Sequence, residues 1–179
     1  MKKAAIILAN GFEEIEALTV VDVLRRAEIS CTVLGFDKQV TGSHGVVVLA
    51  DEVLDDEASD YDMLILPGGM PGSTNLKSNE TVISMLKKMQ SEDKYIAAIC
   101  AAPIVLDHAG VLKGKDYTCY DGFENEIKDG NYVKKAVVTD GKLTTACGPA
   151  LALDFAYELV RQLGKDPEPI IKGMLYGRK

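Results

Sequence analysis

Short apolar runs alternate with stretches of helical periodicity through most of the chain, and this alternation constrains the fold more than any other feature. The run AAIILA at residues 4–9 carries no polar residue, which is the pattern of a parallel strand covered on both faces. Residues 13–27 then place Ala17, Val20, Leu24 and Ala27 on one helical face, with Ile15, Leu18 and Val21 widening it. Acidic residues crowd the first turn of this segment and Arg25 and Arg26 the last, which suits the helix dipole. Further strands are expected over 31–36, 46–49, 63–66, 95–99 and 117–120, and helices over 78–89, 103–109 and 149–163. Asp140–Gly141 lies between two short apolar runs, a hairpin signal. Residues 51–60 read as an acidic connector. Alternation of this kind predicts an α/β layered domain with a mostly parallel sheet and one antiparallel hairpin.

The chain of 179 residues is expected to be a single domain over 1–179, long enough to bury a sizeable core unaided. Its formal net charge of −7 argues against a nucleic-acid partner, which calls for a basic patch. Lys87–Lys88 and Lys134–Lys135 read as solvated faces. The opening MKKAAIILAN resembles a leader, but acidic Glu13, Glu14 and Glu16 stand where a cleavage site would be. No apolar run approaches the roughly 20 residues of a membrane span, so a cytoplasmic location is expected, with no membrane partner. Cys31, Cys100, Cys119 and Cys147 have no CxxC spacing, which argues against a zinc site or a disulfide scaffold. No metal and no cofactor are expected.

In open sheets of this kind, chemistry gathers beyond the carboxyl ends of the strands, and three such ends are unusual. ILANGFEEIE (7–16) turns at Asn10–Gly11 into three glutamates. Glu13 and Glu14 can be explained as complements to the helix dipole. Glu16 lies one turn further in, and facing inward it would have to be protonated or paired. LILPGGMPGS (64–73) offers glycines that let backbone amides approach a ligand. It lacks the GK[ST] of a phosphate loop. AAICAAP (97–103) ends an apolar run on Cys100. A thiol there could be small buried filler or a nucleophile on a strand-to-helix elbow. In the second case the helix start at Ala101 would favour thiolate. Cys31 reads as structural and Cys147 as core or turn lining, and His108 as a surface residue at a helix end.

Taken in order, ILANGFEEIE, DVLRRA, YDMLILPGG, IAAICAAP and CGPALALDFA resemble the ThiJ/PfpI superfamily, and its DJ-one branch more than its proteases. The resemblance implies a flavodoxin-like three-layer sandwich that forms a homodimer. It implies that Cys100 is the reactive elbow cysteine and Glu16 the acid against it. Gly69 and Ala101, with Gly68, would supply the oxyanion pocket. Two departures stand out. Cys100 is followed by Ala101 and Ala102, not by histidine, and residues 117–121 carry Cys119 and Tyr120 where the DJ-one branch has a histidine. His44 falls near an arginine position of that branch. Cys119, Tyr120 and His44 are therefore possible auxiliaries.

A Cys–His–acid peptidase needs a histidine to shuttle protons, and none aligns with that task. The remaining expectation is a cofactor-independent glyoxalase or deglycase acting on methylglyoxal, glyoxal or early glycation adducts. Cys100 would attack the aldehyde, and a protonated Glu16 would favour a low-pKa thiol. The alternative is a non-enzymatic, redox-sensing or chaperone-like stress protein that signals through oxidation of Cys100.

Overall fold

The computed structural model describes residues 1–55 and 60–178. Strands β1 (Lys3–Leu8), β2 (Ser30–Gly35), β6 (Met63–Leu66), β7 (Tyr95–Ile99) and β11 (Leu143–Ala146) form the parallel body of one sheet. Two edge strands complete it, β5 (Glu52–Val53) and β10 (Val137–Asp140). The spatial order is β10-β11-β7-β6-β1-β2-β5. Only the β10–β11 pair is antiparallel, with Val138 opposite Thr145 across the expected Asp140–Gly141 turn. Residues 4–8 of β1 are buried without interruption, as their all-apolar composition demands.

Helices cover both faces. α1 (Glu14–Arg26) and α5 (Ala152–Gln162) bring Val20, Leu24, Phe155 and Leu159 against Ile6, Ile65 and Ile99. On the other face lie α2 (Gly72–Lys77), α3 (Glu80–Ser91) and α4 (Pro103–His108). Their Leu76, Val82, Leu86 and Ile104 pack on Ile7, Leu64 and Ala98. Each such fully buried aliphatic or aromatic side chain is worth about 1.5–3 kcal/mol of transfer free energy. This is the flavodoxin-like three-layer sandwich that the resemblance implies.

Several local expectations change. Ile15 and Leu18 do not widen the buried stripe of α1. They are 56% and 38% exposed, while Val21 is buried. The α1 stripe is narrower because the helix packs against the sheet and α5 on one side only. Residues 46–49 contribute β4 (Val47–Leu49), which pairs antiparallel with β3 (Gln39–Thr41) in a separate ribbon instead of joining the main sheet. The strand expected at 117–120 is β8 (Asp116–Tyr117), which pairs with β9 (Asn131–Tyr132) outside the main sheet. PGGMPGS leads directly into the short α2, and the tail folds as α6 (Glu168–Gly173). The acidic connector over 51–60 contains β5, and its residues 56–59 lie outside the described residues.

The order reverses at β1. Its chain-adjacent strand β2 lies on one side, and β6 on the other. At such a switch point the loops leaving adjacent strands separate and open a crevice. Three loops meet there: 9–13 after β1, 67–71 after β6 and 100–102 after β7. The Glu13 N–H donates to the Gly68 carbonyl at 2.9 Å, and the Gly72 N–H donates to the Gly11 carbonyl at 3.2 Å.

Candidate active site

Cys100 follows the last residue of β7 with φ of 64°. A non-glycine residue in the left-handed region carries a backbone cost of about 1–3 kcal/mol and persists only where its surroundings impose it. Two hydrogen bonds impose it here. The Cys100 N–H donates to the Ala146 carbonyl at 2.9 Å, and the Cys100 carbonyl accepts the Tyr120 N–H at 2.9 Å. Ala97, Ala98, Ala101 and Ala102 are all buried, so the chain turns in a space that larger side chains would block. The helix begins at Pro103, not Ala101, leaving 100–102 as a hydrogen-bonded turn between strand and helix. The backbone amides of Ala101 and Gly69 act directly on the Cys100 thiol and favour its ionised form.

Glu16 faces the same point. It lies on the buried row of α1 with Val20 and Val23 and is 0% exposed. Its Oε2 accepts the Gly68 N–H at 2.8 Å, and its side chain pairs with the Cys100 thiol. Its Oε1 is buried without a hydrogen-bond partner among the described residues, a costly position for an ionised carboxylate. Burial accordingly raises the Glu16 pKa from 4.5 to about 7, although the bonds from Cys100 and Gly68 oppose the rise. The carboxyl is poised to hold or release a proton near neutrality.

The expectation of a low-pKa thiol is corrected by this packing. Burial pushes the Cys100 thiol up, the Glu16 charge pushes it further, and the amides of Ala101 and Gly69 only partly offset them. The two groups share their protons as a pair. A thiolate forms most readily when the neighbouring Glu16 keeps its proton.

The glycines of the 67–71 loop are dictated by contact. A Cβ on Gly68 would sit 2.6 Å from both Cys100 Cβ and Glu16 Oε2. Gly69 has φ of 90°, and a Cβ there would lie 2.4 Å from the Glu13 amide nitrogen. Glycine at 68 lets the carboxyl and the thiol approach each other. Glycine at 69 lets the loop turn its amide toward sulfur.

The auxiliary candidates separate. The Tyr120 backbone braces the elbow, while its side chain is exposed. Cys119 is fully buried beside it, and burial pushes its thiol up to about 12. Cys31 is likewise buried, with its thiol pushed up to about 12, in line with a structural role. His44 is exposed and pairs with Glu14, Nδ1 to Oε2 at 2.9 Å, and not with the thiol of its own chain. Glu14 also accepts the His44 N–H at 2.7 Å. Burial disfavours its charge, but these bonds outweigh that and lower its pKa to about 2. Glu13 caps α1 by accepting the Glu16 N–H at 2.8 Å. Both glutamates therefore have structural work beyond the helix dipole, which the sequence alone did not reveal. Among the described residues, Glu13, Glu14 and His44 are the group whose ligand atoms could converge on a metal ion, all within 4.8 Å of one another. Their bonds to one another and to backbone amides already account for that geometry.

The DJ-1/PfpI family model matches residues 2–162. The chain belongs to the DJ-1/PfpI family. Its DJ-1 relatives include Drosophila melanogaster protein dj-1beta, 41% identical over 181 residues and covering 97% of each chain. The crystal structure of Drosophila DJ-1beta superposes with a TM-score of 0.94 at 39% identity, over 97% of both chains. Protein DJ-1 homolog B of Arabidopsis thaliana is 38% identical over 159 residues, which are 87% of this chain, and the chain spans only 36% of that protein. A Pyrococcus horikoshii relative named deglycase PH1704 is 32% identical over 165 residues, covering 90% of this chain and 99% of its own. These matches place the chain on the DJ-1/ThiJ side of the DJ-1/PfpI family. No helix among the described residues is long and apolar enough to cross a membrane.

Proposed function

We propose that this protein is a cysteine-dependent, cofactor-independent enzyme that converts small reactive aldehydes such as methylglyoxal or glyoxal to hydroxy acids, or releases them from early glycation adducts. The observation that carries the reading is the contact of Cys100, held at φ of 64°, with a buried Glu16 whose pKa lies at about 7. A group that titrates near the working pH both accepts and returns a proton efficiently. The ionised form of Glu16 takes the sulfhydryl proton as sulfur adds to the aldehyde carbon, so no free thiolate has to form first. The resulting hemithioacetal oxygen lies toward the amides of Gly69 and Ala101, which stabilise its charge. Glu16 then moves a proton between the adjacent carbons and oxygens, and water releases the product from sulfur. The relative named a deglycase supports this substrate class.

The test is direct. Purified protein is incubated with methylglyoxal and lactate is followed, beside Cys100→Ser and Glu16→Gln. The wild type should exceed both variants by at least about 100-fold, the lower range for loss of a proton-transfer group. Turnover by Cys100→Ser equal to that of the wild type refutes the mechanism.

We further infer that the chain works as a homodimer. Ile15 and Leu18 of α1 stand exposed with Val46, Val47 and Leu49 of the ribbon, Leu49 at 65%. The Ser43 N–H donates to the Phe12 carbonyl at 2.7 Å, and Glu14 binds His44. These bonds hold ribbon and helix together, so the apolar side chains sit on one joined surface. Patches of this kind on a soluble protein mark an interface, and a second copy of the chain supplies a matching one.

A further inference from the structure

Three of the four cysteines gather at one end of the sheet, and the aldehyde chemistry uses only Cys100. Ala146, whose carbonyl accepts the Cys100 N–H, precedes Cys147, and Tyr120, whose N–H reaches the Cys100 carbonyl, follows Cys119. Cys119 and Cys147 are thus each the chain neighbour of a residue hydrogen-bonded to Cys100. Further bonds pin the two flanking segments together. The Thr118 N–H donates to Thr145 Oγ1 at 2.9 Å, Thr118 Oγ1 donates to the Lys135 carbonyl at 2.8 Å, and the Cys147 N–H donates to the Ala136 carbonyl at 3.1 Å. The Thr118–Thr145 bond sets the residue before Cys119 beside the end of β11, two residues before Cys147, and the Cys119 sulfur accepts the Glu124 N–H. Exposure differs between the two. Cys119 is sealed, while Cys147 is half-buried and lines a hollow of about 410 Å³ with Tyr120, Asp121, Pro149 and Leu151. An oxidant in that hollow reaches Cys147 first.

We propose that Cys119 and Cys147 form a redox dithiol that closes into a disulfide under hydroperoxide, independently of the chemistry at Cys100. The Cys147 thiolate attacks the peroxide oxygen. The O–O bond breaks, hydroxide or alkoxide leaves, and Cys147 becomes a sulfenic acid. The Cys119 sulfur then attacks the Cys147 sulfur, the S–O bond breaks, and water departs with the Cys119 proton. Sulfur has given up two electrons and the peroxide has taken them. An external dithiol reverses the closure by exchange. The disulfide tethers the segment carrying Tyr120, which braces the elbow, to the end of β11. Oxidation therefore stiffens the backbone around Cys100 without consuming it.

The experiment treats reduced wild type, Cys100→Ser and Cys147→Ser with hydrogen peroxide, alkylates free thiols under denaturing conditions and maps the peptides by mass. A linked Cys119–Cys147 peptide is expected in the wild type, reversible by dithiothreitol. It should persist in Cys100→Ser, which removes the proposed aldehyde activity, and disappear in Cys147→Ser. Substitution at the half-buried Cys147 leaves the sealed Cys119 in place, and circular dichroism checks the fold of each variant. Recovery of Cys119 and Cys147 fully alkylated while Cys100 gains oxygen overturns the proposal. A disulfide that includes Cys100 also overturns it. Because the linkage is read in Cys100→Ser, its failure is separable from failure of the aldehyde chemistry.

Discussion

Replacing Glu16 by glutamine should remove a pH dependence of stability whose size follows from the burial of that carboxyl. In the unfolded chain Glu16 titrates at its ordinary 4.5, and in the native state at about 7. Between those values the native state binds a proton that the unfolded chain has released, so native stability falls as pH rises through the window. Below pH 4.5 both states are protonated and Glu16 contributes no difference. Above about pH 7 the full cost of the buried charge is present. At about 1.36 kcal/mol per pH unit, the span amounts to roughly 3 kcal/mol. Glutamine keeps the shape and cannot ionise. Glu16→Gln should therefore gain on the wild type by about 3 kcal/mol between pH 4.5 and pH 8. The assay is urea unfolding of both proteins across that range, read as the difference in extrapolated free energy. Cys100 stays protonated throughout, because burial and the facing carboxyl push its thiol up. Parallel stability profiles for the two proteins would show that Glu16 is ionised in the native state and refute the proton-sharing pair.

Two further predictions concern packing. Gly68→Ala forces a Cβ to within 2.6 Å of Cys100 Cβ and Glu16 Oε2; such overpacking costs about 1–3 kcal/mol, and thermal unfolding together with the rate of Cys100 alkylation by iodoacetamide reads both the strain and the displaced thiol. An unchanged melting temperature and alkylation rate would mean that the loop does not hold carboxyl and thiol together. Leu49→Glu places a charge on the most exposed apolar side chain of the ribbon, and light scattering should show a shift from dimer to monomer with the fold intact by circular dichroism; a monomeric wild type at micromolar concentration defeats the assignment of that face.

The parts of the fold legible in the sequence are those where one element carries its own signal. β1, β6 and β7 are runs buried on both faces, so their composition alone marks them. The β10–β11 hairpin is marked by Asp140–Gly141. β3, β4, β5, β8 and β9 have two or three residues each, too few to display a period of two, and their pairing depends on partners distant in the chain. α2 is masked by the glycines and prolines of PGGMPGS, which read as a turn although Gly72 opens a helix. The exposure of Ile15 and Leu18 was illegible for a different reason. Helical periodicity reports which residues share a face, but not how wide a stripe the neighbouring elements cover. Within the site, Glu16 was half-legible. Its spacing to Val20 and Val23 puts it on a buried row, but its contact with Cys100 depends on a loop fifty residues away. The role of Glu14 was not legible, since it serves tertiary bonds to the His44 turn that any first-turn glutamate could lack, whereas Glu13 makes a local cap bond to the Glu16 N–H.

The same nonlocal logic explains why the proposed chemistry falls where it does. β1, β6 and β7 are adjacent in the sheet although their starting positions lie 32 to 92 residues apart in the chain, and parallel order places their carboxyl ends at one edge. Each end then supplies one thing that the others lack. β1 delivers Glu16 through the helix that follows it, β6 delivers glycines whose missing side chains make room, and β7 delivers the thiol. None of these contributions works alone. Glu16 without the thiol is a buried acid held by a single backbone amide, and Cys100 without the Gly68–Gly69 turn has no room beside that acid. The strained φ at Cys100 is tolerated because β11 and the Tyr120 segment hold the elbow on both sides. Strain, burial of an acid and close-packed glycines all oppose stability, and all three converge on one sulfur atom. A fold selected only to be stable would relieve each by a single substitution, so their coincidence at Cys100 is the structural argument for chemistry there.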